Sequence, residues 1–131
     1  MQPSRLWINL KRRTRLMRDA RKGDVWIVDM GMVAKVRPCL LLTDYPADDE
    51  LALVTVVAHT TALRGNRWEL AIAKPFLKPG AFHFQQIQSI TVAKLERKLG
   101  SLSDAEWKQV QAKLIERLSI SANPSSTKPD S

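Results

Sequence analysis

The sequence predicts a mainly β fold of the α+β class: a small, strongly curved antiparallel barrel capped by one C-terminal helix. Three observations carry this expectation. Short apolar runs rich in β-branched residues recur between Gly, Pro and Asn turn signals. Two of them, 36–43 and 51–61, are separated only by the acidic, turn-like 44–50 and read as adjacent strands. One 3.6-period apolar stripe stands near the C-terminus.

In chain order, Lys22-Gly23-Asp24 punctuates the start of the body, and Val25–Asp29 reads as the first strand. Met30–Lys35 is then a short apolar connection, either a lid or part of an interface. The second strand is 36–43. The third, from Leu51 to His59, is apolar on both alternating sets and should be central and buried on both faces. Leu63–Arg67 is a turn carrying two arginines, and Trp68–Ile72 a fourth strand. Lys74–Gly80 is a loop, because its prolines cannot donate into a ladder. A fifth strand covers about 82–90, and a small one lies near Arg97–Leu99. Ser103-Asp104-Ala105-Glu106 is a capping box. It opens a helix of about 15 residues whose stripe is Trp107, Val110, Gln111, Leu114, Ile115 and Leu118.

The domain boundaries follow from composition: a basic arm over 1–21, the barrel over 22–118, and a Ser/Pro-rich tail over 119–131 expected to be disordered. Of the net charge of +8, residues 1–22 hold +7, so the body is close to neutral. In the arm, Leu6, Leu10 and Met17 fall near helical spacing. No run has the length of a membrane helix, and no apolar segment of signal-peptide type follows the basic residues, so a cytoplasmic protein without membrane partners is expected. The single cysteine, Cys39, lies in an apolar strand and reads as a small buried hydrophobe. There is no His/Cys cluster with metal-ligand spacing, and no cofactor or metal is expected.

Chemistry concentrates at one edge. In an antiparallel pair joined by a single loop, the start of the first strand lies beside the end of the second. Arg37 and Thr60 should therefore meet. An arginine fork beside a hydroxyl suits a phosphate. Thr61 is next in line. His59 and His83 are the side chains that titrate near neutrality. Either is a candidate proton acceptor, although alternation should turn His59 away from the face of Thr60.

The order of five segments resembles the PemK/MazF family of toxins. They are Lys22–Asp29, Arg37–Leu42, Val56–Thr61, Gln85–Ile90 and Lys98–Ser103. The resemblance spans about 21–118 and implies an SH3-like barrel shared with the toxin CcdB, usually as a homodimer. It further implies a metal-independent endoribonuclease that cleaves single-stranded RNA to a 2′,3′-cyclic phosphate and is inhibited by a cognate antitoxin. By that resemblance Arg37 and Thr60 are the catalytic pair, and Lys35, Arg64, Arg67, Gln86 and Gln88 are expected RNA contacts. Two departures stand out. The connection over 30–36 lacks the family's common Gly-Ser-Glu-Gln segment, and Gln88 and Thr91 replace an arginine and an aspartate that some members carry. A non-enzymatic toxin acting on a protein such as DNA gyrase is one alternative. A nucleic-acid-binding module working through the arm is another.

Overall fold

The β-branched run that follows the acidic loop becomes the middle of the molecule. In the computed structural model, which describes residue 5, residues 16–31 and residues 35–121, this run is β3 (Leu53–Thr60). It is flanked by β2 (Lys35–Leu41) and β5 (Ala81–Thr91), and is buried along most of its length. Outside them lie β1 (Asp24–Gly31), β6 (Leu95–Ser101) and the two-residue β4 (Glu69–Leu70). All pairings are antiparallel, in the order β4-β5-β3-β2-β1-β6. The fold class is the expected one, with the difference that the sheet is open: β4 and β6 remain its edges. Among the described residues, no helix is long and apolar enough to cross a membrane.

Strand alternation sorts the core onto two faces. Trp26, Val28, Cys39, Leu41, Val54, Val56 and Ala58 point to one, where the core reaches back to Met17 and Ala20. Val25, Leu40, Val57, Phe82 and Phe84 point to the other, where helix α1 (Asp104–Leu118) supplies buried Val110 with Trp107 and Leu114 beside it. Ser103 and Glu106 form the reciprocal capping box. The helical stripe is narrower than its spacing predicts. Ile115 and Leu118 are exposed, and it is Lys113 and Arg117 that lie over the Trp68 ring at this end of the helix. The proposed arm helix falls mostly outside the described residues, as does the tail from 122 onward.

Two connections also differ from expectation. Met30 and Gly31 belong to β1 and Lys35 to β2, so the apolar connection shrinks to 32–34, which lies outside the described residues. The fourth strand stops at Leu70 instead of Ile72. Extending its register would next bond Ile72 to Gly80, whose backbone packs on Thr60 instead.

Two local constraints shape the end of β3. On one side, β2 keeps pairing with β1 past Pro38, but its ladder with β3 stops at Cys39–Ala58. The N–H that Pro38 lacks is the one that would reach β3. On the other side, β5 pairs with β3 in two stretches, Phe82 with His59 and Ile87 with Val57, so 83–86 stand against Ala58 alone, three residues more than the ladder needs, and β5 bends there. At the bend Gly80 packs directly on Thr60. A Cβ there would overlap the Thr60 carbonyl oxygen and lie 2.8 Å from Cε1 of His59.

Asp24 ties the first strand to its surroundings. It is 4% exposed. Its carboxylate accepts hydrogen bonds from the Arg21 backbone N–H at 2.9 Å, the Ser101 hydroxyl at 2.9 Å and the Trp26 indole at 3.4 Å, with Lys98 Nζ at 3.4 Å. Asp24→Ala leaves those donors without their acceptor and is expected to cost about 2–4 kcal/mol, read as a lower denaturant midpoint. Gly80→Ala is expected to cost about 1–3 kcal/mol and to shift the amide resonances of Thr60 and Ala62, since backbone must move to admit the methyl.

Candidate active site

Where β3 parts from β2, a cavity of about 400 Å³ opens. It is lined by Arg37 and Pro38 from β2, by His59 to Ala62 at the end of β3, by Ile27 of β1, by Arg97 and Leu99 of β6, and by Phe76 and Lys78 of the 74–80 loop. Continuing the β2–β3 register outward from Cys39–Ala58 sets Pro38 opposite His59 and Arg37 opposite Thr60. The arginine and the hydroxyl thus meet at one sheet edge, as strand polarity predicts. Phe76 holds the loop down: its ring lies against Gly100 on β6, with Cζ 2.8 Å from where a Cβ would be.

The lining is cationic. Arg37, Lys78 and Arg97 contribute three positive groups, and among the described residues no aspartate or glutamate lines the cavity. The ion pairs of the described residues involve Arg67, Lys74, Lys98 and Lys113 and leave those three aside. Uncompensated cations around a half-open concavity favour an anion. Thr60 Oγ1 accepts the backbone N–H of Ala62 at 3.0 Å, which occupies a lone pair and leaves the hydroxyl proton free to donate outward.

His59 lines the same cavity, against the expectation from alternation. The strand ends at Thr60, and the chain bends back through Thr61 and Ala62, so residues from both sides of the strand reach the opening. The ring is 5% exposed and packs edge-on against Phe82, with centroids 5.1 Å apart. Burial pushes its pKa below the ordinary 6.5, so the imidazole is neutral at neutral pH. Its Nε2 is buried and has no hydrogen-bond partner among the described residues.

The other candidate residues lie elsewhere. His83 is buried on β5, pairs with Glu69, and its Nδ1 accepts the Gln85 backbone N–H at 3.2 Å, a structural arrangement away from the cavity. Arg64 and Arg67 sit in a turn held by Glu69, whose carboxylate accepts the N–H of Arg64 at 2.6 Å and of Gly65 at 2.8 Å. Those bonds hold the Glu69 carboxyl below its usual range. The Arg67 guanidinium lies 4.3 Å from the Trp68 ring and pairs with Glu116. Gln86 falls among the surplus residues of β5, and Gln88 is exposed opposite Val56. Lys35 opens β2 opposite Gly31. Cys39 is buried, and its thiol is pushed up to about 12 by burial, which makes it inert. Among the described residues no group of three or more His, Cys, Asp or Glu could hold a metal ion.

Sequence reasoning missed Lys78 and Arg97. Arg97 reaches the cavity through the pairing of Ile27 with Arg97, which joins distant parts of the chain and has no local signature. For Lys78 a signal was present: the following Pro79-Gly80 marks a place where backbone approaches backbone.

A model of the PemK-like, MazF-like toxins of type II toxin–antitoxin systems matches residues 21–118. The probable endoribonuclease MazF5 of Mycobacterium tuberculosis is 27% identical over 92 residues, covering 68% of this chain and 84% of that protein. Among solved structures, an endoribonuclease in complex with its cognate antitoxin from mycobacterial species superposes with a TM-score of 0.65 at 19% identity, covering 80% of this chain and 98% of that one. The M. tuberculosis toxin MazF-mt6 gives 0.63 at 24%, covering 75% and 98%. A MazE–MazF structure from Deinococcus radiodurans gives 0.65 at 18%, covering 77% and 96%. The structural likenesses establish a shared fold, and the family match spans the whole sheet and its helix. The chain belongs to the PemK-like, MazF-like toxins of type II toxin–antitoxin systems.

Proposed function

We propose that this toxin is a metal-independent endoribonuclease that cleaves single-stranded RNA, works as a homodimer in the cytoplasm, and is silenced by a cognate antitoxin. The observation that carries the reading is the set of three cations and one threonine hydroxyl around a cavity that, among the described residues, no carboxylate lines. The matched relative is named a probable endoribonuclease, and one structural neighbour is bound to its antitoxin. The exposed apolar row Ile115, Leu118 and Ile120 supports a protein partner.

In this mechanism the ribose 2′-oxygen attacks the adjacent phosphorus. The new O2′–P bond forms as the P–O5′ bond breaks, giving a 2′,3′-cyclic phosphate and a free 5′-hydroxyl. Arg37 carries the charge role, because its fork can donate to two phosphate oxygens and stays protonated. Thr60 donates one hydrogen bond to a non-bridging oxygen. Lys78 and Arg97 attract and seat the flanking backbone. His59 is the proton acceptor: it is neutral at physiological pH and its Nε2 makes no hydrogen bond among the described residues. Nε2 is buried in the free chain, so RNA binding must expose it. The departing 5′-oxygen, on the opposite side of the phosphorus, takes its proton from solvent, to which the imidazolium returns its own.

Incubation with a long single-stranded RNA in EDTA tests this. Discrete fragments ending in 2′,3′-cyclic phosphate are expected, with Arg37→Ala slowing cleavage about a thousandfold and Thr60→Ala about a hundredfold. RNA left intact by folded, antitoxin-free protein overturns the reading. A second outcome concerns pH. As pH falls from about 6.5, the unfolded chain takes up a proton on residue 59 that the folded chain refuses. Stability should therefore drop as pH falls from 6.5 toward the lower folded pKa. His59→Gln should remove that part of the profile, followed as denaturation midpoints against pH.

A further inference from the structure

Beside the cationic cavity lies a second one, of about 350 Å³. It is lined by Ala71, Ile72, Ala73 and Lys74 on one side and by Leu77 to Gly80 on the other. Lys78 lines both cavities, so the two are neighbours across a single side chain. The second cavity exists because the hairpin splays. Beyond Leu70–Phe82 the ladder would pair Ala71 with Ala81 and Ile72 with Gly80. Ala81 instead marks the end of pairing with Thr60, and Gly80 packs on the Thr60 carbonyl.

The result is a cleft with an uncommon surface. Ile72 is buried and, with Leu77 and Pro79, makes apolar walls. Ala71 and Ala73 are exposed and leave the rim open. The strand-like backbone over 71–73 takes part in no backbone hydrogen bond among the described residues. Its N–H and C=O groups therefore remain available to a ligand. Lys74 is already committed, with Nζ bonded to Glu106 at 2.6 Å, while Lys78 is exposed and pairs with no carboxylate.

We propose that the cleft between 71–73 and 77–80 seats the nucleobase next to the scissile phosphate. A base is planar and apolar on its faces and carries donors and acceptors on its edge. The apolar walls take the faces, the free backbone groups of 71–73 read the edge, and Lys78 holds the phosphate that joins this nucleotide to the one in the cationic cavity. This proposal rests on the endoribonuclease reading, and it makes the 71–80 segment a determinant of which RNA sites are cut.

Two measurements on the full chain test it. In the first, amide resonances are followed while inorganic phosphate and then each ribonucleoside 3′-monophosphate are added. Phosphate is expected to move Thr60, Thr61 and Ala62; a nucleotide should also move Ala71, Ile72 and Ala73. Identical responses to phosphate and to all four nucleotides overturn the base seat and leave the cationic site standing. In the second, Ala73→Trp fills the cleft from its open rim without touching Arg37, Thr60 or His59. The preferred cleavage site should then lose about tenfold or more in kcat/KM relative to other sites on the same RNA. An unchanged cleavage pattern overturns the proposal. A chain that cuts no RNA at all removes the nuclease reading, and the nucleotide titration still decides whether the cleft holds a base.

Discussion

At the end of β3 the backbone of Gly80 lies against the carbonyl of Thr60 so closely that no side chain fits between them. Much of the functional edge depends on this contact. It pulls the start of β5 onto β3, and with it the 74–80 loop, which brings Phe76 and Lys78 over the cavity. It confines the His59 ring between Phe82 and the loop, where burial keeps it neutral. It also separates the two strands of the β4–β5 hairpin, since backbone held at Thr60 is not available to 71–73. A single missing methyl thus sets the positions of groups drawn from three elements.

The opposite side of the cavity depends on another missing group. Pro38 occupies β2 where an N–H would otherwise extend the ladder to β3, and the strands part there. Arg37 and Thr60 still share a register, but the space between them is open. The proline that marks the family's second strand is therefore more than a tolerated irregularity.

Most of the fold was legible because it rests on local patterns. Short apolar runs between turn signals gave β1, β2, β3 and β5, and the Ser103–Glu106 capping box fixed the start of α1. The pairing of Arg37 with Thr60 was legible too, since a single loop between two strands determines which ends meet. What escaped was long-range. No local rule joins Arg97 to Ile27, separates β4 from β5 at Gly80, or shows that a curved sheet stays open. Alternation misjudged His59 because it holds only inside a strand, and Thr60 is the last residue of β3. The apolar spacing of α1 overstated its buried stripe, as helical periodicity records which residues share a face and not how far the partner surface extends.

The two edges of the sheet carry a consequence of their own. β4 is two residues long, and β6 presents the exposed charges Glu96, Arg97 and Lys98. Neither is the long, flat, apolar margin on which strands of separate molecules stack. Each margin is thereby kept from pairing edge to edge with another molecule, so the open sheet needs no closure to stay separate.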